Sequence, residues 1–142
     1  QLFDRWSRRA IGIPAMNGAK MVADAINAGK LPAPYDSKGF GGATATVEPI
    51  DEGGGATKQV AEYRNLVEKR GVDVIVGYIS SGNCQALAPI AEELKQFTIF
   101  ATCGTPRIFE EAPRKYVFRT MGHQFCTILR IVIHGWSVAK NR

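Results

Sequence analysis

The chain has 142 residues, enough for one domain with a buried core. Hydrophobic residues make up 45% and charged residues 22%, globular values that exclude a disordered or fibrous chain. The net charge of +5 sits at the two ends, since residues 10–112 carry nine basic and twelve acidic side chains. No basic face interleaved with stacking aromatics accompanies it, so no nucleic-acid partner is expected.

Met16, Ala19, Val22, Ala23 and Ile26 recur at helical spacing and predict an amphipathic helix over Ala15–Ala28. Pro14 stands just inside its start and Gly29 just past its end. A Pro- and Gly-rich loop, Lys30–Gly42, leads to a short alternating strand at Ala43–Pro49, and Asp51-Glu52-Gly53-Gly54-Gly55 then breaks the chain. A second helix runs from Thr57 to Arg70, with Val60, Tyr63, Leu66 and Val67 on one face and Gly71 as its stop. Val72–Gly77 is a β-branched run, the composition of a strand covered on both faces. After a Ser- and Gly-rich turn, a third helix, Asn83–Lys95, turns Leu87, Ile90, Ala91 and Leu94 inward. Phe97–Ala101 is the next strand, and a loop with Gly104 and Pro106 leads through a short helix to a strand at Tyr116–Arg119. Phe125–Ala139 is a last apolar helical stretch. Its apolar core, Ile128–Val138, contains Arg130 and His134 and falls short of the ~20 residues that span a bilayer.

Strands alternating with helices predict βαβ units: an α/β fold whose parallel sheet carries helices on both faces. In such sheets ligands bind at the carboxyl ends of the strands. The loops there are Asp51–Gly55, Ile79–Asn83 and Thr102–Pro106.

Catalytic chemistry finds little support in these loops. Gly53–Lys58 lacks phosphate-loop spacing, and Asp51 and Glu52 would repel phosphate, so the segment reads as a turn opening a helix. Neither Ser80 nor Ser81 has glycines at both −2 and +2, as a nucleophile elbow requires. His123 and His134 read as packed side chains, and with Cys126 they do not close a tetrahedral metal site. No enzyme activity, cofactor or metal is expected. Cys84, Cys103 and Cys126 are odd in number and form no CxxC pair, so they are expected as buried small residues without a disulfide framework.

A small-ligand site has better material. Ser81 precedes the third helix, so its hydroxyl and the N–H groups of Gly82 and Asn83 point at one spot beside a positive helix end. A carboxylate is the natural guest, and Thr102, Cys103 and Thr105, after the next strand, would complete the pocket. That Ser81 serves only as an N-cap stays open.

Asn17-Gly18-Ala19, Ala25-Ile26-Asn27-Ala28 and a strand ending in Asp51 resemble the opening of type I periplasmic binding proteins. Gly71–Gly77, Ser80-Ser81, Ala88-Pro89-Ile90-Ala91-Glu92 and Tyr116–Thr120 extend the likeness from about residue 12 to about residue 124. Within that superfamily the chain is most similar to the substrate-binding proteins of branched-chain amino-acid ABC transporters. The resemblance implies a two-lobed extracytoplasmic receptor that closes on an amino acid or related small carboxylate and docks on an ABC permease. Residues 1–124 would be a partial N-terminal lobe, and 125–142 a helix leading into a C-terminal lobe that the chain lacks. In such relatives the serine after the third strand binds the ligand carboxylate, which maps onto Ser81. The loop after the fourth strand, here Thr102, Cys103, Gly104 and Thr105, contributes backbone groups and a hydroxyl.

The chain departs from the family at its start. A strand is expected ahead of residue 1, with Leu2-Phe3 at most its tail, and Ile11 stands where an aromatic often covers the ligand. Strands at 43–49 and 72–77 would then have exposed edges, a route to a homo-oligomer. The alternatives are a sensor domain of the same fold, reading an amide, urea or an aromatic acid, and a truncated fragment that binds nothing.

Overall fold

The computed structural model describes residues 12–122. The chain falls into two units, residues 1–51 and 52–142. Ile11, His123, Cys126, His134 and the apolar stretch 125–139 lie outside the described residues.

The first unit holds α1 (Ile13–Ala28), with Pro14 in its first turn as expected. Gly29 ends it in the left-handed region at φ 64°. There the Gly29 N–H reaches the Ile26 carbonyl (3.1 Å) and the Lys30 N–H the Ala25 carbonyl (2.9 Å), a glycine-dependent stop. Of the predicted apolar stripe only Ala23 is buried, and Val22 is 46% exposed. Farther on, Phe40 and Ala43 exchange two backbone hydrogen bonds across Gly41-Gly42. Both glycines have positive φ (61° and 94°), the conformation a two-residue hairpin turn requires.

The strand expected at Ala43–Pro49 does not form. A strand needs a neighbouring backbone, and among the described residues this segment has only the isolated Phe40–Ala43 bridge at its start. A side chain anchors its middle: Asn27 donates from Nδ2 to the Ala45 carbonyl (2.8 Å) and accepts the Ala45 N–H at Oδ1 (2.7 Å). The Asn27 amide thus takes both backbone groups that a sheet neighbour would have used.

The second unit runs α2 (Gly55–Glu68), β1 (Ile75–Gly77), α3 (Ser81–Glu93), β2 (Thr98–Phe100), α4 (Arg107–Glu110) and β3 (Val117–Arg119). The strands form a parallel sheet in the order β1-β2-β3, with Ile75 opposite Thr98 and Thr98 opposite Val117. This is the α/β class expected from the sequence, but among the described residues of this unit the helices cover one face of the sheet, not the two that were expected. β1 is shorter than the predicted Val72–Gly77. Gln96 Nε2 donates to the carbonyls of Val72 (3.1 Å) and Asp73 (2.9 Å), and the ladder begins only where the Ile75 N–H meets the Phe97 carbonyl.

One face of the sheet makes the core. Ile75, Thr98, Phe100 and Val117 are buried there with Tyr63 and Leu66 of α2 and Leu87, Ala88 and Ala91 of α3. Predicted inward residues Val60, Val67, Ile90 and Leu94 pack around this cluster, partly buried. The core includes one polar chain. Thr98 Oγ1 donates to the Gln96 carbonyl (3.0 Å), which leaves it to accept from the Tyr63 hydroxyl at 2.5 Å. Burial raises the Tyr63 phenol above its ordinary pKa, with the Thr98 contact opposing. On the other face Val76 (66%) and Phe118 (47%) are exposed.

Candidate functional site

The carboxyl ends of β1 and β2 carry the segments that the sequence singles out. Gly77 (φ 146°) and Tyr78 (φ 63°) turn the chain sharply out of β1. A tyrosine in the left-handed region is costly, and its side chain supplies the reason. The Tyr78 ring is buried edge-on against Phe100, with centroids 6.0 Å apart. Its hydroxyl has no hydrogen-bond partner among the described residues, and burial drives its pKa far above the usual range.

Beyond that turn, Ser80 occupies the N-cap position of α3, without a side-chain capping bond, and Ser81 is the first helical residue. This corrects the expectation that Ser81 precedes the helix, and it removes Ser81 as the N-cap. The capping is supplied from elsewhere. Glu52 accepts the Ile79 N–H at Oε2 (2.7 Å) and, at Oε1, the Ser80 N–H (2.8 Å) and Asn83 Nδ2 (3.0 Å). An acid expected only to repel phosphate is the anchor of the β1–α3 turn. Three charge-assisted donors on one carboxylate fix the turn in place.

The six predicted residues divide into two groups. Ser81 and Gly82 make no side-chain or tertiary hydrogen bond among the described residues, and a Cβ on Gly82 would meet nothing closer than Ser80 Oγ at 3.8 Å. The first N–H groups of a helix have no intrahelical acceptor, so the donors at Ser81 and Gly82 remain open. The other four are engaged within the protein. Asn83 is buried and held by Glu52. Thr102 donates its hydroxyl to the Tyr78 carbonyl (3.3 Å). Thr105 is buried and accepts from Gln85 Nε2 (3.1 Å).

Cys103 is joined to Cys84 in a disulfide across 19 residues of sequence, both side chains fully buried. The expectation of unlinked cysteines is therefore corrected. No spacing motif marks the pair; it forms because β1 and β2 are neighbours, which brings the first turn of α3 beside the loop after β2. Arg119, at the end of β3, closes the far side of that loop. Its Nη1 donates to the carbonyls of Cys103 (3.2 Å) and Thr105 (2.7 Å), while its guanidinium stacks over Phe109 at 5.3 Å.

Glu52, Cys84, Gln85 and Arg119 are the residues that sequence reasoning missed. Only Glu52 carried a local signal, an acid just before a glycine turn and a helix. Among the described residues no group of three or more His, Cys, Asp or Glu is placed to hold a metal, and no helix is long and apolar enough to cross a membrane.

Glu52→Ala is expected to lower the unfolding free energy by about 1–2 kcal/mol, because it strips a charged acceptor from three donors. Glu52→Gln, which keeps one acceptor oxygen, should lose less. Urea denaturation of the two variants measures the difference, and equal losses would mean that the carboxylate does not anchor the turn.

A parallel three-stranded sheet with helices, and with the loops at its carboxyl edge pinned from several sides, defines a small α/β domain. The periplasmic binding protein family model matches residues 7–137, and the chain belongs to that family. Its members are in general binding proteins rather than enzymes and typically extracytoplasmic. No curated protein and no solved structure matches the chain.

Proposed function

We propose that this chain is the ligand-binding N-terminal lobe of an extracytoplasmic solute receptor that delivers an amino acid to an ABC importer, with the permease as its docking partner. One observation carries the reading: at the carboxyl edge of the sheet, Ser81 and Gly82 offer a hydroxyl and helix-terminal N–H donors with no partner among the described residues. A ligand carboxylate takes these donors and gains from the positive end of α3, a 13-residue helix. Thr102, Cys103, Gly104 and Thr105 form the opposite wall, through their backbone more than their engaged side chains.

Glu52 refines the choice of ligand. Its carboxylate lies 2.8 Å from the Ser80 nitrogen, next to the open donors, and it repels a second bare anion. A zwitterion, whose ammonium faces Glu52, is favoured over a simple carboxylate. The disulfide agrees with an oxidising, extracytoplasmic compartment. The outer edge of β1, unpaired among the described residues, is the route for self-association.

Thermal unfolding with a panel of amino acids and their deaminated analogues tests the reading. A ligand at a hundredfold excess over its Kd stabilises the fold by about 2.7 kcal/mol. The expected result is a rise in midpoint with L-leucine-like amino acids and a smaller one with 4-methylpentanoate. Ser81→Ala should then weaken binding by about 1–3 kcal/mol in isothermal titration. Unchanged affinity in that variant places the carboxylate elsewhere.

A further inference from the structure

The Cys84–Cys103 disulfide lies inside the candidate site. Cys84 follows Asn83 in the first turn of α3, and Cys103 stands between Thr102 and Gly104 in the loop after β2. Cys103 Sγ also sits 3.4 Å from the Tyr78 carbonyl oxygen and 3.8 Å from that of Ser80, beneath the turn that presents Ser81. Beyond the Ala101 N–H to Gly77 carbonyl bond (2.8 Å) that ends the strand ladder, the remaining non-covalent ties between the two segments are few among the described residues. They are the Gln85–Thr105 hydrogen bond (3.1 Å) and two long contacts from Thr102 to the Tyr78 carbonyl, 3.4 Å from the N–H and 3.3 Å from the hydroxyl. Each segment is separately anchored at its back, the β1–α3 turn by Glu52 and the β2–α4 loop by Arg119. Neither anchor bridges the two.

Resting on the solute-binding reading, we infer that this disulfide is a positioning cross-link for the ligand site. It fixes the distance from the Ser81–Gly82 donors to the Thr102–Thr105 wall, so the site is ordered before the ligand arrives. Ordering done in advance is not charged against binding, and affinity rises accordingly. Without the cross-link, the two segments move relative to each other although each remains anchored.

The test compares the oxidised wild-type chain with Cys84→Ala/Cys103→Ala, using L-leucine as the probe in isothermal titration and amide hydrogen exchange without ligand. The variant is expected to fold, by circular dichroism, and to bind L-leucine about tenfold more weakly. In exchange, the Cys84 N–H bonded to the Ser80 carbonyl and the Thr102 N–H bonded to the Tyr78 carbonyl should lose protection relative to α2. Unchanged affinity with unchanged relative protection overturns the inference. So does a loss of protection that spreads evenly over α2, since that reports stability alone.

If the wild-type chain itself does not bind L-leucine while the exchange contrast holds, the choice of ligand has failed and the cross-link still orders the loops. Should the double variant fail to fold, wild-type chain refolded with dithiothreitol supplies both readouts. The dithiol is oxidised to its cyclic disulfide while Cys84 and Cys103 become thiols, and the Cys103 thiol then has the Tyr78 carbonyl as an acceptor.

Discussion

Phe100→Ala is expected to cost about 3–5 kcal/mol of unfolding free energy, a large share of the stability of a domain this size. Phe100 ends the central strand, is wholly excluded from water and meets the Tyr78 ring edge-on. Truncation leaves a cavity under the β1–α3 turn that a backbone pinned by Glu52 has little freedom to fill. Phe118 provides the control. It lies across from Ile99 on the adjacent strand but is 47% exposed, with Phe97 as its ring partner at 5.1 Å. Phe118→Ala should cost about 1 kcal/mol, the value of a ring pair at a wet surface. Urea midpoints of the two variants, at equal slope, test which face of the sheet holds the core. Comparable losses would show that both faces are packed.

Removal of the disulfide is the second large effect. Cys84→Ala/Cys103→Ala frees a loop closed across 19 residues, and the release of the denatured chain lowers stability by about 3 kcal/mol. The two small, fully buried alanines change core volume little, so most of the loss should come from the unfolded state. Thermal unfolding of oxidised wild type against the variant gives the size, and an unchanged midpoint would mean that the two sulfurs are not bonded in solution. The same measurement on wild type refolded under a dithiol should match the variant.

Helices α1, α2 and α3 were legible from their periodicity, although only Ala23 of the α1 stripe is buried. Tyr63, Leu66, Leu87 and Ala91 are buried where spacing put them, and Gly29 adopts the left-handed turn its position required. Strand extents were less legible, since they depend on partners. Val72 and Asp73 have strand composition, yet the Gln96 side chain claims their carbonyls and the ladder starts at Ile75. Ala43–Pro49 alternates as a strand should, yet Asn27 anchors its middle. The site was legible at the level of loops and not of side chains. Sheet order alone predicts that the loops after β1 and β2 meet. That Glu52 caps α3, or that Cys84 finds Cys103, rests on contacts between residues 27 to 31 and 19 positions apart, with no local pattern. The family resemblance pointed to Ser81, whose role in binding is a proposal, and gave no sign of the disulfide.

The sheet order β1-β2-β3 has a consequence for how the second unit is made. β2 and β3 each pair with a strand synthesised about twenty residues earlier, Thr98 on Ile75 and then Val117 on Thr98. Neither β2 nor β3 waits for a distant segment, so contact order within the described sheet is low for a parallel one. The sheet can therefore assemble strand by strand in the direction of translation, and the sulfurs of Cys84 and Cys103 meet only after β2 has docked on β1. Pairing of these two cysteines is then a late event that seals a topology already formed, rather than one that directs it.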